Sequence, residues 1–152
     1  MGKEPPGKIL FTLNWALPLV GLATIILYKL CVDACPSLRG SFLGVDLTLA
    51  GILYMAALLV LAWPFSAGAA TWATHARTAL LGGGLGGEVV LVHFQIVNAT
   101  FCDYCLVFGI CILALTLANY RRLHLPLALG SLLAGWLAFA LFFEGHILPL
   151  YV

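Results

Sequence analysis

Five stretches of this chain are apolar over about twenty residues each, and short polar or turn-forming segments separate them. At a rise of about 1.5 Å per residue, some 20 mostly apolar residues cross a bilayer as a helix. The pattern predicts membrane helices near 9–30, 42–63, 78–99, 102–120 and 125–144, making residues 1–152 a single all-α integral membrane domain. Lys3 and Lys8 precede the first run as they would in a signal peptide. That run continues apolar to Leu30 with no convincing small-x-small cleavage site after it, so it reads as a retained first helix.

Composition agrees with this reading and narrows it. The 152 residues are 63% hydrophobic and 9% charged, against roughly 25% charged in soluble domains, so the chain's solvent is lipid. A net charge of +1 offers no basic surface for nucleic acid. The run Gly82-Gly83-Gly84-Leu85-Gly86-Gly87 lacks the Lys-Ser/Thr of a phosphate loop. Its Gly82/Gly86 and Gly83/Gly87 spacings suit close approach between membrane helices instead. Lys3, Lys8, Arg77, Arg121 and Arg122 fall on one side of the five spans and Lys29 and Arg39 on the other. The positive-inside rule then sets the N-terminus in the cytoplasm. Trp63, Trp72 and Tyr120 read as anchors at the inner interface, and Tyr28 and Tyr151 as anchors at the outer one.

The chemistry lies in four of the five cysteines. Cys31 and Cys35 follow the first apolar run, and Cys102 and Cys105 open the fourth, so the orientation puts both pairs on the outer, oxidising face. Cys31 and Cys35 can bridge if the chain turns, and Pro36 biases Cys35 away from helix. So short a loop gains little as a staple, which favours exchange over structure. Thr100-Phe101-Cys102-Asp103 has the form of a capping box that would place Cys102 in the first turn of a helix. Unpaired amides and the helix dipole there favour a thiolate. Cys105, one turn further in, faces the same way and lies deeper. An electron pair leaving such a dithiol has no flavin or nicotinamide fold to enter here, and a membrane quinone is the natural sink. Cys111 reads as a small apolar filler.

Three polar residues of the third helix are candidates for contact with that acceptor or for supplying the protons its reduction consumes. Glu88 lies deep in the span, where an ionisable group is costly enough to suggest function; its bland alternative is interhelical hydrogen bonding while protonated. Gln95, seven residues on, shares its face. His93 lies about 140° around the helix and is either a satisfied bundle histidine or a donor to a quinone carbonyl.

These residues resemble the vitamin K epoxide reductase (VKOR) family of membrane thiol oxidoreductases, in its bacterial form without a fused thioredoxin domain. The resemblance covers about residues 25–110. It rests on the loop cysteines Cys31 and Cys35, Ser41 six residues after the second, the run Gly44, Gly51, Tyr54, and Cys102-Asp-Tyr-Cys105 at a helix start. It implies a four-helix bundle around a quinone pocket, a fifth helix matched by residues 125–144, and Ser41 as a quinone-side residue. It also implies a thioredoxin-fold (DsbA-like) partner in trans, whose thiols reduce Cys31/Cys35. That pair then reduces Cys102/Cys105, with Cys102 the exchange thiol and Cys105 the quinone-side thiol. The location implied is a bacterial inner membrane, active face outward. Gly109 stands where the vitamin K enzymes carry a tyrosine, so the expected acceptor is a ubiquinone, menaquinone or related quinone rather than the epoxide.

Two other readings remain open. A DsbB-like quinone-coupled oxidase shares the chemistry but orders the pairs oppositely, with the helix-start pair first. A non-enzymatic membrane protein would gather the four thiolates around structural zinc, which the two short spacings permit.

Overall fold

The structure, a computed structural model, describes residues 8–30, 38–66 and 71–147. Five helices follow one another up and down: α1 (Lys8–Leu30), α2 (Leu47–Ser66), α3 (Thr71–Val97), α4 (Asp103–Asn119) and α5 (Leu125–Phe142). Four are long and apolar enough to span a membrane, and α4, at 17 residues, is just short of that length. The chain is an all-α membrane protein. α1 packs against α2 and α4, and α3 against the same two, which closes a ring of four; α5 lies outside the ring against α3.

The glycines of α3 explain that last packing. A Cβ on Gly82 would collide with the Ala128 carbonyl and Ser131 Oγ, and one on Gly86 with the Leu132 carbonyl and the Trp136 amide. Gly135 of α5 meets the Gly83 backbone in the same way. Lipid tails are as apolar as leucine, so helices associate in a membrane through such close backbone contact. This also answers why α5, with no buried residue, holds its place.

A small sheet was absent from the hydrophobic pattern. Strands β1 (Leu38–Phe42), β2 (Val45–Asp46) and β3 (Phe143–Ile147) pair antiparallel in the order β2-β1-β3. Phe42 pairs with Val45 across the two residues Leu43 and Gly44, whose φ angles of 53° and 75° are those of a type I′ hairpin turn. The second helix therefore starts at Leu47 rather than at 42, because two left-handed residues cannot continue a helix. Asp46 caps it: Oδ1 accepts from the Thr48 amide at 2.7 Å. β1 reaches β3 across about a hundred residues of sequence, with Gly40 opposite Gly145 and Phe42 opposite Phe143. The sheet roofs one end of the bundle.

The third helix starts at Thr71, well before the expected 78, because Arg77 is no edge residue. It is fully buried. Its Nη1 donates to the Leu58 carbonyl at 3.0 Å and its Nη2 to Asn14 Oδ1 at 2.9 Å, while Asn119 Nδ2 donates to the same oxygen at 2.7 Å. Asn14, Leu58, Arg77 and Asn119 come from α1, α2, α3 and α4 in turn, so this knot ties all four ring helices at the end away from the sheet. Above it lies a core of Ile25, Met55, Leu58, Leu81, Cys111, Ile112 and Leu115. Trp63, Trp72 and Tyr120 are exposed. Tyr28 is not a free anchor, since its ring meets Tyr104 edge-on at 5.8 Å; Tyr151 lies outside the described residues.

Candidate functional site

Below the sheet the bundle holds a cavity of about 680 Å³. Ile25 and Tyr28 of α1, Gly51 and Tyr54 of α2, and Glu88 and Leu91 of α3 form part of its wall. Cys105 and Phe108 of α4 and Phe139 of α5 complete the ring, and Phe42 and Phe143 close it from the sheet. Phe42 stacks on Phe139 at 4.5 Å, and Phe143 meets Phe94 edge-on at 5.3 Å. Tyr54, also in the wall, donates from its hydroxyl to the Leu80 carbonyl at 3.0 Å. The glycines of the Gly44, Gly51, Tyr54 run have separate tasks. Gly44 makes the hairpin turn, and Gly51 lets Ile25 approach, since a Cβ there would lie 3.0 Å from Ile25 Cδ1.

The turn from α3 to α4 sets the cysteine pair. α3 ends in a Schellman motif, with the Thr100 amide donating to the Gln95 carbonyl at 3.0 Å and the Ala99 amide to the Ile96 carbonyl at 3.2 Å. Ala99 takes the left-handed position that glycine usually fills, at φ 49°. Cys102, extended at φ −111° and ψ 108°, is the N-cap residue of α4, and its carbonyl accepts from Leu106 N at 3.0 Å. The capping box does not form. Thr100 Oγ1 donates back to the Asn98 carbonyl, and Asp103 is the first helical residue instead of the third. Gln95 supplies what the box would have done. Its side chain, 1% exposed, accepts the Cys102 amide at 2.9 Å through Oε1. One glutamine thereby holds both ends of the turn.

Cys102 and Cys105 are thiols a single turn apart. Cys102 is 6% exposed and lies outside the cavity lining, while Cys105 forms part of it. A hydrogen bond from the Cys105 thiol pulls Cys102 down to about 6, against the opposing effect of burial, and the Cys105 and Tyr104 amides pull the same way. This lowering favours the thiolate at the helix start, the form that attacks disulfides. Cys111 is buried in the core, away from both.

Cys31 and Cys35 lie outside the described residues. α1 ends and β1 begins at the same end of the bundle as Cys102, as the Tyr28–Tyr104 contact and the shared cavity wall require. Of the four proposed quinone contacts, the structure brings one to the cavity: Glu88, 9% exposed. Ser41 points away. Gly40 and Phe42 line the cavity, and the alternation of a strand turns the residue between them to the other face. His93 is exposed on the outer side of α3, as its angle from Glu88 dictates. Gln95 shares the Glu88 face but spends its carbonyl on Cys102. Tyr54 and the phenylalanine walls were not among the candidates. Among the described residues no three His, Cys, Asp or Glu side chains cluster as metal ligands would.

Fold and site define a class: an all-α membrane protein with a vicinal thiol pair at a helix start, one thiol opening on an apolar cavity inside the bundle. No protein-family model matches the chain, and no curated protein sequence matches it.

Proposed function

We propose that this protein is a membrane thiol:quinone oxidoreductase of VKOR type, which forms disulfides by passing electron pairs from outer thiols to a membrane quinone. The observation that carries the reading is the placement of Cys105. It belongs to a thiol pair activated at Cys102 and forms part of a largely apolar, aromatic-walled cavity of about 680 Å³, a volume in the range of small-molecule sites. A quinone head fits such walls, and when bound it supplies the two-electron acceptor that a dithiol needs.

In this reading Cys102 and Cys105 are oxidised together to their disulfide on the quinone side. Cys31 and Cys35 reduce that disulfide by exchange at Cys102 and are in turn reduced by a thioredoxin-fold, DsbA-like partner. The N-terminus is cytoplasmic and the sheet end faces outward, in a bacterial inner membrane. With Arg77 removed from the count as a buried residue, Lys3, Lys8, Arg121 and Arg122 still outnumber Lys29 and Arg39. A thiolate stabilised in the reduced pair makes the matching disulfide a stronger oxidant, the direction disulfide formation requires.

The test is quinone reduction by the purified protein, followed spectrophotometrically with a short-chain quinone and either a small dithiol or a reduced thioredoxin-fold protein. Cys102→Ser and Cys105→Ser are expected to abolish turnover with both donors. Cys31→Ser and Cys35→Ser are expected to block the protein donor and spare the small dithiol. Equal loss in all four variants would contradict the relay, and stoichiometric zinc without quinone reduction would replace the oxidase with a structural metal site.

A further inference from the structure

Proton accounting exposes a requirement that the cysteines alone do not meet. With Cys102 as thiolate, the reduced pair carries one proton, on Cys105. Converting a quinone to its quinol takes two electrons and two protons. The balanced step is Cys102 thiolate plus Cys105 thiol plus quinone plus one proton, giving the Cys102–Cys105 disulfide and the quinol. Both electrons leave the sulfurs and one proton leaves Cys105. The second proton needs another source within the cavity.

Resting on the oxidoreductase reading, we propose that Glu88 is that source: a catalytic general acid that gives its carboxyl proton to the quinone oxygen. Of the carboxyl residues among those described, Asp46, Glu88, Asp103 and Glu144, Glu88 alone lies in a helix interior, and its side chain forms part of the cavity wall together with Cys105. The fold makes room for it. A Cβ at Gly109, one turn beyond Cys105, would lie 2.7 Å from Glu88 Oε2, so the carboxyl occupies the space that a side chain on α4 would otherwise take. The groups facing it are Tyr54 from α2 and Cys105 from α4, while α5 offers only Gly135, Ala138 and Phe139 to the wall. Tyr54 already donates its hydroxyl to Leu80, and Asp46, the other carboxyl of the lining, caps α2 by accepting the Thr48 amide, which leaves Glu88 as the uncommitted carboxyl of the cavity. Lys29, Arg39 and Asp46 stand at the sheet end of the same cavity, a polar border through which water can return the proton.

The experiment compares two oxidants of the pre-reduced full-length protein in detergent. A short-chain benzoquinone consumes the extra proton; ferricyanide, a one-electron acceptor, consumes none. Glu88→Gln keeps the size and removes the proton. It is expected to slow single-turnover quinone reduction about a hundredfold at neutral pH, the size of a general-acid contribution. The rate should recover as the pH falls and solvent supplies the proton. Ferricyanide oxidation should stay within about twofold of wild type, which also reports an intact thiol pair. Glu88→Asp should retain part of the rate. A readout independent of turnover is the protonated-carboxyl band in the infrared spectrum of the reduced protein, expected in wild type and lost in Glu88→Gln. If the wild type reduces quinone and Glu88→Gln matches it across the pH range, or the band survives the substitution, the proton role is overturned and the oxidoreductase reading stands. If the wild type is oxidised by ferricyanide but inert to quinone, both fall.

Discussion

The neighbouring Cys105 thiol is the largest of several influences on Cys102, which together hold it near 6, so the two cysteines are unequal before any substrate arrives. Because the folded value lies below that of an unfolded thiol at roughly 8.5, the thiolate stabilises the native state fully above the unfolded value. That contribution is lost as the pH falls through about 6. Site-resolved alkylation by mass spectrometry should therefore show Cys102 labelling rise with a midpoint near pH 6. Cys105→Ala should move the midpoint up toward the ordinary thiol value, and Cys105→Ser, which can still donate, should move it less; an unchanged midpoint in Cys105→Ala would remove the hydrogen bond as the cause. The pair itself was legible from spacing, but its support was not. Glycine or asparagine after a helix usually announces a Schellman turn, and here alanine fills that position at Ala99. The cap then comes from Gln95, seven residues before the thiol it holds, a partnership set by the turn rather than by any local motif.

Among the elements, hydropathy located all five helices, because apolar length is what a bilayer demands, and it misplaced the two starts where something else governs. At α2 the hairpin chemistry of Leu43 and Gly44 overrides an apolar run. At α3 a buried arginine resembled a boundary charge. The five-residue strands were hidden because β1 finds its main partner in β3, far along the chain, and each alternates over only five residues with a glycine at its centre. The α3–α5 contact gives a matched pair of substitutions. Gly86→Ala pushes a methyl into the α5 backbone, which cannot yield as a side chain could, and should cost about 1–3 kcal/mol. Gly130→Ala, on α5 with open space around it, should be neutral or stabilise by up to about 1 kcal/mol through helix propensity. Thermal unfolding in detergent followed by circular dichroism reads both. Equal effects would mean that α5 is not held by backbone contact.

Across the whole molecule, the two ends of the bundle are built on different principles. The end away from the sheet is tied by the Asn14–Arg77–Asn119 knot, polar and buried, which fixes four helices to one another and leaves the opposite end to shape a cavity. Asn14→Leu removes the oxygen that two donors share, and is expected to cost about 1–3 kcal/mol. Asn14→Asp keeps an acceptor facing Arg77 and should retain stability. The same detergent melts check this, and a Leu variant as stable as wild type would show that the knot does not brace the ring.

The sheet end has another consequence. Strand β1 is made early, yet the strand that pairs along its length, β3, follows only after α5, roughly a hundred residues later. During synthesis the helices enter the membrane in order, and the edge of β1 opposite β2 stays unpaired until Phe143 and Gly145 emerge. Pairing of β3 is thus a late step relative to α1–α5: the sheet over the cavity is completed only after all five helices have been made.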